Sequence, residues 1–206
     1  MVRKWGMVLA ALAASLVLVA PAQAQSAGYK FLEAVRKSDG AEVEKMLANL
    51  SKGTPGDILI NSKDISTGDT ALHIVIARRD LKWVSFMLYR GADVNLKNNK
   101  GNTPLWLAIS TGFSDAVPEL IAKGARVNDA GPAGETPLIA AVHQRNIELV
   151  RVLLKAGADP TRADNSGRTA KDYAELSERG SLISNELDAA IKAVKARKAA
   201  TYGPSF

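Results

Sequence analysis

The sequence predicts an all-α solenoid of helix-turn-helix repeats, and three observations support this prediction. Glycine recurs at a constant step of 33 residues, at Gly68, Gly101, Gly134 and Gly167. Threonine keeps the same step two residues later, and Gly-Ala pairs keep it at the far end of each unit. Apolar residues between these markers recur at helical spacing. A fixed period of this length is the signature of stacked repeats.

The first 24 residues have the pattern of a secretion signal. Arg3 and Lys4 precede the uncharged apolar run Met7–Ala20, and residues 22–24 offer the small residues that a signal peptidase accepts. The sequence therefore predicts a signal peptide that is cleaved after Ala24. The alternative is an uncleaved membrane anchor, but the apolar run is shorter than the roughly 20 residues that cross a bilayer.

Charge and cysteine content narrow the class of protein. The chain has 27 basic and 21 acidic residues, a formal net charge of +6, which suits a partner with an acidic surface. Cysteine is absent, so disulfides, thiolate metal sites and cysteine nucleophiles are excluded. An exported chain without thiols suits the oxidising bacterial periplasm. We expect the protein to be periplasmic or secreted.

Residues 25–67 are expected to form a divergent N-terminal capping repeat. Apolar residues outline two helices around a turn at Asp39 and Gly40, namely Phe31, Leu32, Val35, Val43, Met46 and Leu47. The connection from Ser51 to Gly68 is about seven residues longer than its counterpart in the next repeat. We expect a longer, exposed loop there.

Three regular repeats follow, at residues 68–100, 101–133 and 134–166. A threonine precedes Pro104 and Pro137, and its hydroxyl can cap the first helix of those two repeats, where proline fits the first turn. This inner helix is almost continuously apolar, as packing against two neighbouring repeats requires. The second helix carries a narrower stripe, formed by Val84, Met87, Leu88, Val117, Leu120, Ile121, Val150, Leu153 and Leu154. Glycine ends that helix, and a polar hairpin-like finger leads on.

These units resemble the ankyrin-repeat family. The segments Gly68–His73, Gly101–Trp106 and Gly134–Ile139 are similar to the family's opening Gly-x-Thr-Pro-Leu-His. Tyr89–Asn95 and its counterparts are similar to the family's closing Gly-Ala-Asp-Val-Asn. The resemblance implies a solenoid whose repeats are joined by hairpin-like fingers.

The resemblance is strong over residues 68–166, partial over 167–176 and weak over 27–67. It implies protein-protein interaction rather than catalysis, and some exported bacterial members of the family support oxidative-stress defence. Ankyrin surfaces vary while the frame stays fixed, so the resemblance does not name a partner.

Residues 167–206 are expected to form a partial capping repeat and a basic terminal helix. The first part predicts a short helix with Tyr173 and Leu176 turned inward. An amphipathic helix is predicted over Leu182–Lys198, with an apolar stripe at Leu187, Ile191 and Val194. This end of the chain is basic, with Arg179, Lys192, Lys195, Arg197 and Lys198. Such a basic row is either a solvated helix face or a contact for a polyanion or a membrane surface.

Candidate catalytic groups are few. The chain has two imidazoles, and the resemblance implies that one of them, His73, braces the opening turn of its repeat. The other, His143, lies along an inner helix with no acid or nucleophile beside it in sequence, so we interpret it as a surface or binding residue. No phosphate-binding glycine loop is present. The sequence predicts a protein that is not an enzyme and that holds no cofactor or metal.

Stacked repeats create a concave face from fingers and inner helices, where side chains are not needed for the core. Projection of the repeat onto that face predicts a partner-binding set of Arg78, Arg79, Lys97, Asn99, Lys100, Trp106, Thr111, Phe113, His143, Gln144, Arg145 and Asp164, with Asn165 beside the last. Trp106 replaces the family's histidine. It is open to two interpretations, packing between repeats or a partly exposed interface anchor.

Two classes of function follow from the sequence. The favoured one is a monomeric, non-catalytic scaffold of the bacterial periplasm or cell envelope that binds a protein partner. It has no nucleic-acid partner and no membrane span after cleavage of the signal. The alternative class comprises a small-ligand or polyanion receptor, an accessory factor to an envelope enzyme, or an enzyme itself.

Overall fold

The computed structural model describes residues 26–48, 59–176 and 181–201. The expected signal peptide lies outside the described residues, as do residues 49–58 of the long first connection and Arg179. Within the described ranges the chain forms helices and turns, and its β structure is one isolated bridge between Ala163 and Thr169. The prediction of an all-α solenoid is confirmed.

The helices come in successive pairs, an inner helix followed by an outer one. In chain order they are α1 (Ser26–Arg36), α2 (Gly40–Ala48), α3 (Ala71–Ala77), α4 (Leu81–Tyr89), α5 (Pro104–Ser110), α6 (Val117–Ala122), α7 (Pro137–His143), α8 (Ile147–Lys155), α9 (Ala170–Glu175) and α10 (Ser181–Thr201). Short 3₁₀ turns precede α6 at Ser114–Ala116 and lie within the third finger at Pro132–Gly134.

The inner helices begin as the sequence predicts. The Thr103 hydroxyl accepts a hydrogen bond from the Trp106 N–H at 3.1 Å, and the Thr136 hydroxyl accepts one from the Ile139 N–H at 3.2 Å. These bonds satisfy amides that have no partner within the helix. Outer helices are capped by other side chains, such as Asp80, whose carboxylate accepts from the Trp83 N–H.

The inner helices α1, α3, α5, α7 and α9 stack in one row, and each outer helix packs on the inner helix of its own pair. Their apolar faces form one continuous core that runs from Phe31 in α1 to Leu187 in α10. The divergent N-terminal pair is part of this core, with Val35 and Val43 fully buried. Stacking of this kind buries a hydrophobic face that a single repeat could not bury alone.

The C-terminal end differs from its prediction in two details. The terminal helix α10 extends to Thr201 and packs against α8 and α9. Leu176, expected to turn inward, is instead 72% exposed, and it lies just beyond the end of α9 at Glu175. Tyr173 is half-buried. None of the described helices is long and apolar enough to span a membrane.

Candidate functional site: the concave face

The fingers and the inner helices together form what we call the concave face. The fingers are the loops at residues 61–69, 94–102, 127–135 and 160–168. Side chains of this face either hold neighbouring repeats together or project freely. The difference between the two kinds identifies the residues that are available to a partner.

His73 holds the first full repeat to the next finger. Its ring is fully buried, Nδ1 accepts from the Thr70 N–H at 3.3 Å and lies 2.8 Å from the Thr70 hydroxyl, and Nε2 lies 3.0 Å from the Asn102 carbonyl oxygen. These partners fit a neutral ring with its proton on Nε2. Burial lowers the pKa of His73, which keeps the ring neutral. The bracing role implied by the family resemblance is confirmed for this histidine.

Trp106 occupies the same position in the next repeat, but it contacts the next finger by packing rather than by hydrogen bonds. Its indole packs against the backbone of Gly131, where a Cβ atom would lie 2.5 Å from Trp106 Cε2. The half-buried indole leaves its Nε1 without a hydrogen-bond partner among the described residues. The structure favours packing between repeats over an exposed anchor for Trp106. Only glycine at position 131 leaves room for this packing.

Asp64, Asn98 and Asp164 brace the tips of three fingers. In the last finger the Asp164 carboxylate accepts from the Ser166 N–H at 2.8 Å and from the Tyr173 hydroxyl at 2.6 Å. The Tyr173 hydroxyl is the main reason why the pKa of Asp164 lies well below its usual range, and the Ser166 hydroxyl adds to it. Asp164 therefore holds its finger closed, rather than presenting a free carboxylate to a partner.

Further members of the predicted set connect neighbouring fingers. The Asn99 N–H donates to the Thr67 carbonyl at 2.9 Å, and the Asn165 N–H donates to the Ala133 carbonyl at the same distance. The Lys97 ammonium donates to a finger carbonyl of the following repeat at 3.0 Å, although the side chain is largely exposed. These residues set the spacing of the fingers.

Residues after the inner helices reach back to the preceding repeat. The Arg78 guanidinium donates to the Val35 carbonyl at 2.8 Å and pairs with Asp80 at 3.3 Å, and the Gln144 amide donates to the Ile109 carbonyl. The last carbonyls of a helix have no partner within it, so side chains from the next repeat satisfy them. Arg78 and Gln144 are thus structural, which their sequence position did not reveal.

Two more residues of the predicted set, Thr111 and Phe113, lie at or just after the turn that follows α5. The Thr111 hydroxyl donates to the Leu107 carbonyl at 2.8 Å, and the Thr111 carbonyl accepts from the Arg79 guanidinium. Phe113 is 7% exposed and lies in the core. Its inclusion in the surface set was wrong, because the chain re-enters the core directly after the turn at Gly112.

A cluster at the C-terminal end joins a finger to two inner helices. His143 Nδ1 lies 2.8 Å from Glu135 Oε1, and its ring meets Tyr173 edge to face with centroids 4.4 Å apart. The Arg168 guanidinium lies 5.7 Å from the centroid of the same tyrosine ring. Sequence reasoning found no acid beside His143, since Glu135 is brought to it only by the folding of the finger.

Two members of the predicted set remain unengaged. Lys100 and Arg145 are exposed, and their side chains make no hydrogen bond or ion pair within the described part of the chain. Arg145 also has a left-handed backbone, with φ of 53°, at the position where the preceding repeat has Gly112 with φ of 69°. This conformation costs a non-glycine residue on the order of 1 kcal/mol. Arg79 holds this position two repeats before Arg145, also with a left-handed backbone (φ of 59°), but its guanidinium donates to the Thr111 carbonyl, whereas the Arg145 side chain has no such bond among the described residues.

The fold and this face define a class of protein, an all-α repeat module with an exposed concave face. Two family models match the chain, both described as ankyrin repeats, one as three copies over residues 32–130 and the other as many copies over residues 120–174. The chain belongs to the ankyrin-repeat family. Ankyrin repeats generally mediate protein-protein interaction, and members of the family are typically scaffolds without catalytic activity.

Curated relatives agree with this assignment. The chain is 36% identical over 87 residues to the Notch-regulated ankyrin repeat-containing protein of Homo sapiens and to that of Xenopus tropicalis, which covers 42% of this chain and 73% of each relative. It is 37% identical over 51 residues to a putative ankyrin repeat protein of Fowlpox virus. That match covers 25% of this chain and 15% of the viral protein, so it compares single repeats rather than whole molecules.

Proposed function

We propose that the protein is a non-catalytic scaffold of the bacterial periplasm or cell envelope that binds an acidic surface of a partner protein through its concave face. The observation that carries the proposal is Arg145. Its side chain is exposed and makes no hydrogen bond or ion pair with the described residues, while its backbone holds a conformation that glycine would adopt without strain. Such a residue is explained by a partner that it contacts.

The charge of the exposed side chains on this face indicates the charge of the partner surface. Lys100 and Arg145 are cations, and Arg79, which donates to the Thr111 carbonyl, is an exposed third one two residues beyond α3. Complementary charge speeds association and excludes wrong partners. An acidic protein surface is the matching chemistry.

The proposed location rests on the N-terminal sequence. Two basic residues, an apolar run and a small-residue site before Gln25 together support export and cleavage. The family resemblance supports a role in stress defence within that compartment. Mass spectrometry of the protein from a periplasmic fraction tests the location: the expected first residue is Gln25, and an uncleaved cytoplasmic chain would overturn this part of the proposal.

The binding site is tested best by a variant that raises the stability of the fold and weakens binding. Arg145→Gly relieves the left-handed strain, so we expect stability to rise by about 1 kcal/mol. Crosslinking of the protein in intact cells should yield a discrete product with the parent chain that is lost in Arg145→Gly. Mass spectrometry of that product identifies the partner.

Lys123→Gln is the matched control, since Lys123 is an exposed cation after α6 without an ion-pair partner in the described ranges. It should leave the crosslink unchanged. Retention of the crosslink in Arg145→Gly, or its loss in both variants, would contradict the assignment of the concave face.

A further inference from the structure

The terminal helix α10 consists of two halves with opposite charge. The first half is anchored to the solenoid: Leu187 is fully buried, Glu186 pairs with Arg151 at 2.8 Å, and Asp188 pairs with Lys171 at 2.5 Å. After Asp188 the sequence has no further acidic residue. The second half of α10 therefore carries only positive charge.

The basic half has two distinct sides. Ala190, Ala193 and Val194 line one wall of a cleft of about 480 Å³, whose other wall includes Leu154 and Pro160. These residues face the solenoid.

Lys192 and Lys195 belong to another side of the helix. They are three residues apart, which places both on one face, and neither lines the cleft. Both are exposed, and neither has an ion-pair partner within the ranges that the structure describes. Their charges are free to attract an anionic partner from solution.

We propose that the basic half of α10 docks the protein on an anionic phospholipid bilayer, with Lys192 and Lys195 against the headgroup phosphates. The two lysines are about 4.5 Å apart along the helix axis, so both can contact the same flat layer of headgroups. Lysine is a compact point charge that suits such diffuse attraction, whereas arginine suits planar, two-point recognition.

The same observations favour a membrane over nucleic acid. Single-stranded nucleic acid is held by aromatic side chains that stack on bases, and α10 has none among its 21 residues. Ala190, Ala193 and Val194 face the cleft rather than the bilayer, which disfavours deep insertion of this half. Binding is therefore peripheral, and added salt should weaken it.

Co-sedimentation of the full chain with vesicles tests the proposal. Vesicles of phosphatidylcholine with about one-third phosphatidylglycerol are compared with pure phosphatidylcholine, which corrects for binding by the apolar segment Met7–Ala20. We expect a preference for anionic vesicles that Lys192→Gln with Lys195→Gln reduces by about 30-fold at low salt, since each basic residue contributes roughly fivefold. Circular dichroism checks that the variant remains folded.

The matched control carries Lys82→Gln and Lys123→Gln, which remove two exposed cations outside α10 that lack ion-pair partners in the described residues. It should keep most of the preference. Equal losses in both double variants would show that net charge alone is responsible and would overturn the proposal. Lysine-dependent binding to a DNA duplex, without preference for anionic vesicles, would assign α10 to nucleic acid instead.

Discussion

Two successive junctions between repeats differ at the same repeat position, which is His73 in one repeat and Trp106 in the next. At the first, the buried imidazole of His73 joins Thr70 to the Asn102 carbonyl through hydrogen bonds. At the second, the indole of Trp106 lies flat against Gly131 and makes no side-chain hydrogen bond within the described residues. One junction is directional and polar, and the other depends on close packing.

The difference extends to the fingers that these residues contact. In the finger that His73 reaches, Asn98 braces the tip by accepting from the Lys100 N–H and the Asn102 N–H, each at 3.0 Å. The corresponding position in the next finger is Gly131, which has no side chain to do this. The bulk of the indole takes the place of a bracing amide. A change at the opening position of a repeat therefore requires a matching change in the next finger.

The largest effect is expected from loss of the polar junction. His73→Ala removes a fully buried ring and leaves the Asn102 carbonyl without its partner, so we expect a loss of about 3 kcal/mol in the free energy of unfolding. Urea denaturation followed by circular dichroism measures it. His143→Ala is the control, because that imidazole is exposed, and it should cost less than about 1 kcal/mol. Similar losses in the two variants would refute the bracing role of His73.

The packed junction is tested at its glycine. Gly131→Ala places a methyl group against the indole and should cost about 2 kcal/mol. Trp106→Ala combined with Gly131→Ala should cost less than the sum of the two single changes, because the collision disappears. Gly40→Ala, at a glycine with open space around it, is the neutral control. Additive costs in the double variant would show that the two residues do not compete for space.

The two junctions should also differ in their response to pH. Burial lowers the pKa of His73 in the folded state, so the unfolded chain binds the proton first as the pH falls. Stability is therefore complete above about pH 6.5 and should fall below it, by at most about 1.4 kcal/mol per pH unit.

Urea titrations between pH 7 and pH 5 measure this slope, and His73→Gln should flatten it. Asp64 and Asp164 have lowered pKa values and lose their contributions only near pH 4 and below, so they do not interfere. An unchanged slope in His73→Gln would assign the pH dependence to other groups.

The smallest effect is expected at the helix caps. Thr103→Ala removes one hydrogen bond to the Trp106 N–H and should cost about 1 kcal/mol. Thr70→Ala should cost more, because its hydroxyl also contacts the buried His73 ring. Thermal unfolding of the two variants compares them. Equal costs would show that the hydroxyl of Thr70 contributes nothing to the polar junction.

The concave face was predictable as a surface but not residue by residue. Position within the repeat placed Lys100, His143 and Arg145 where they are exposed. It could not show that Arg78 and Gln144 serve the carbonyls of a preceding helix, because those partners are 35 or more residues away. It also placed Phe113 on the surface, since a single aromatic residue after a turn fits either environment.

The sequence by itself determined the repeat, its helices and their caps. These depend on local spacing: glycine and threonine every 33 residues, apolar residues at helical intervals, and a hydroxyl three residues before an amide. Tertiary structure alone decided which polar side chains bind a neighbouring repeat and which remain free. Stacking brings the ends of one helix to the loops of the next. The availability of Lys100 and Arg145 to a partner is consequently a property of the stacked repeats.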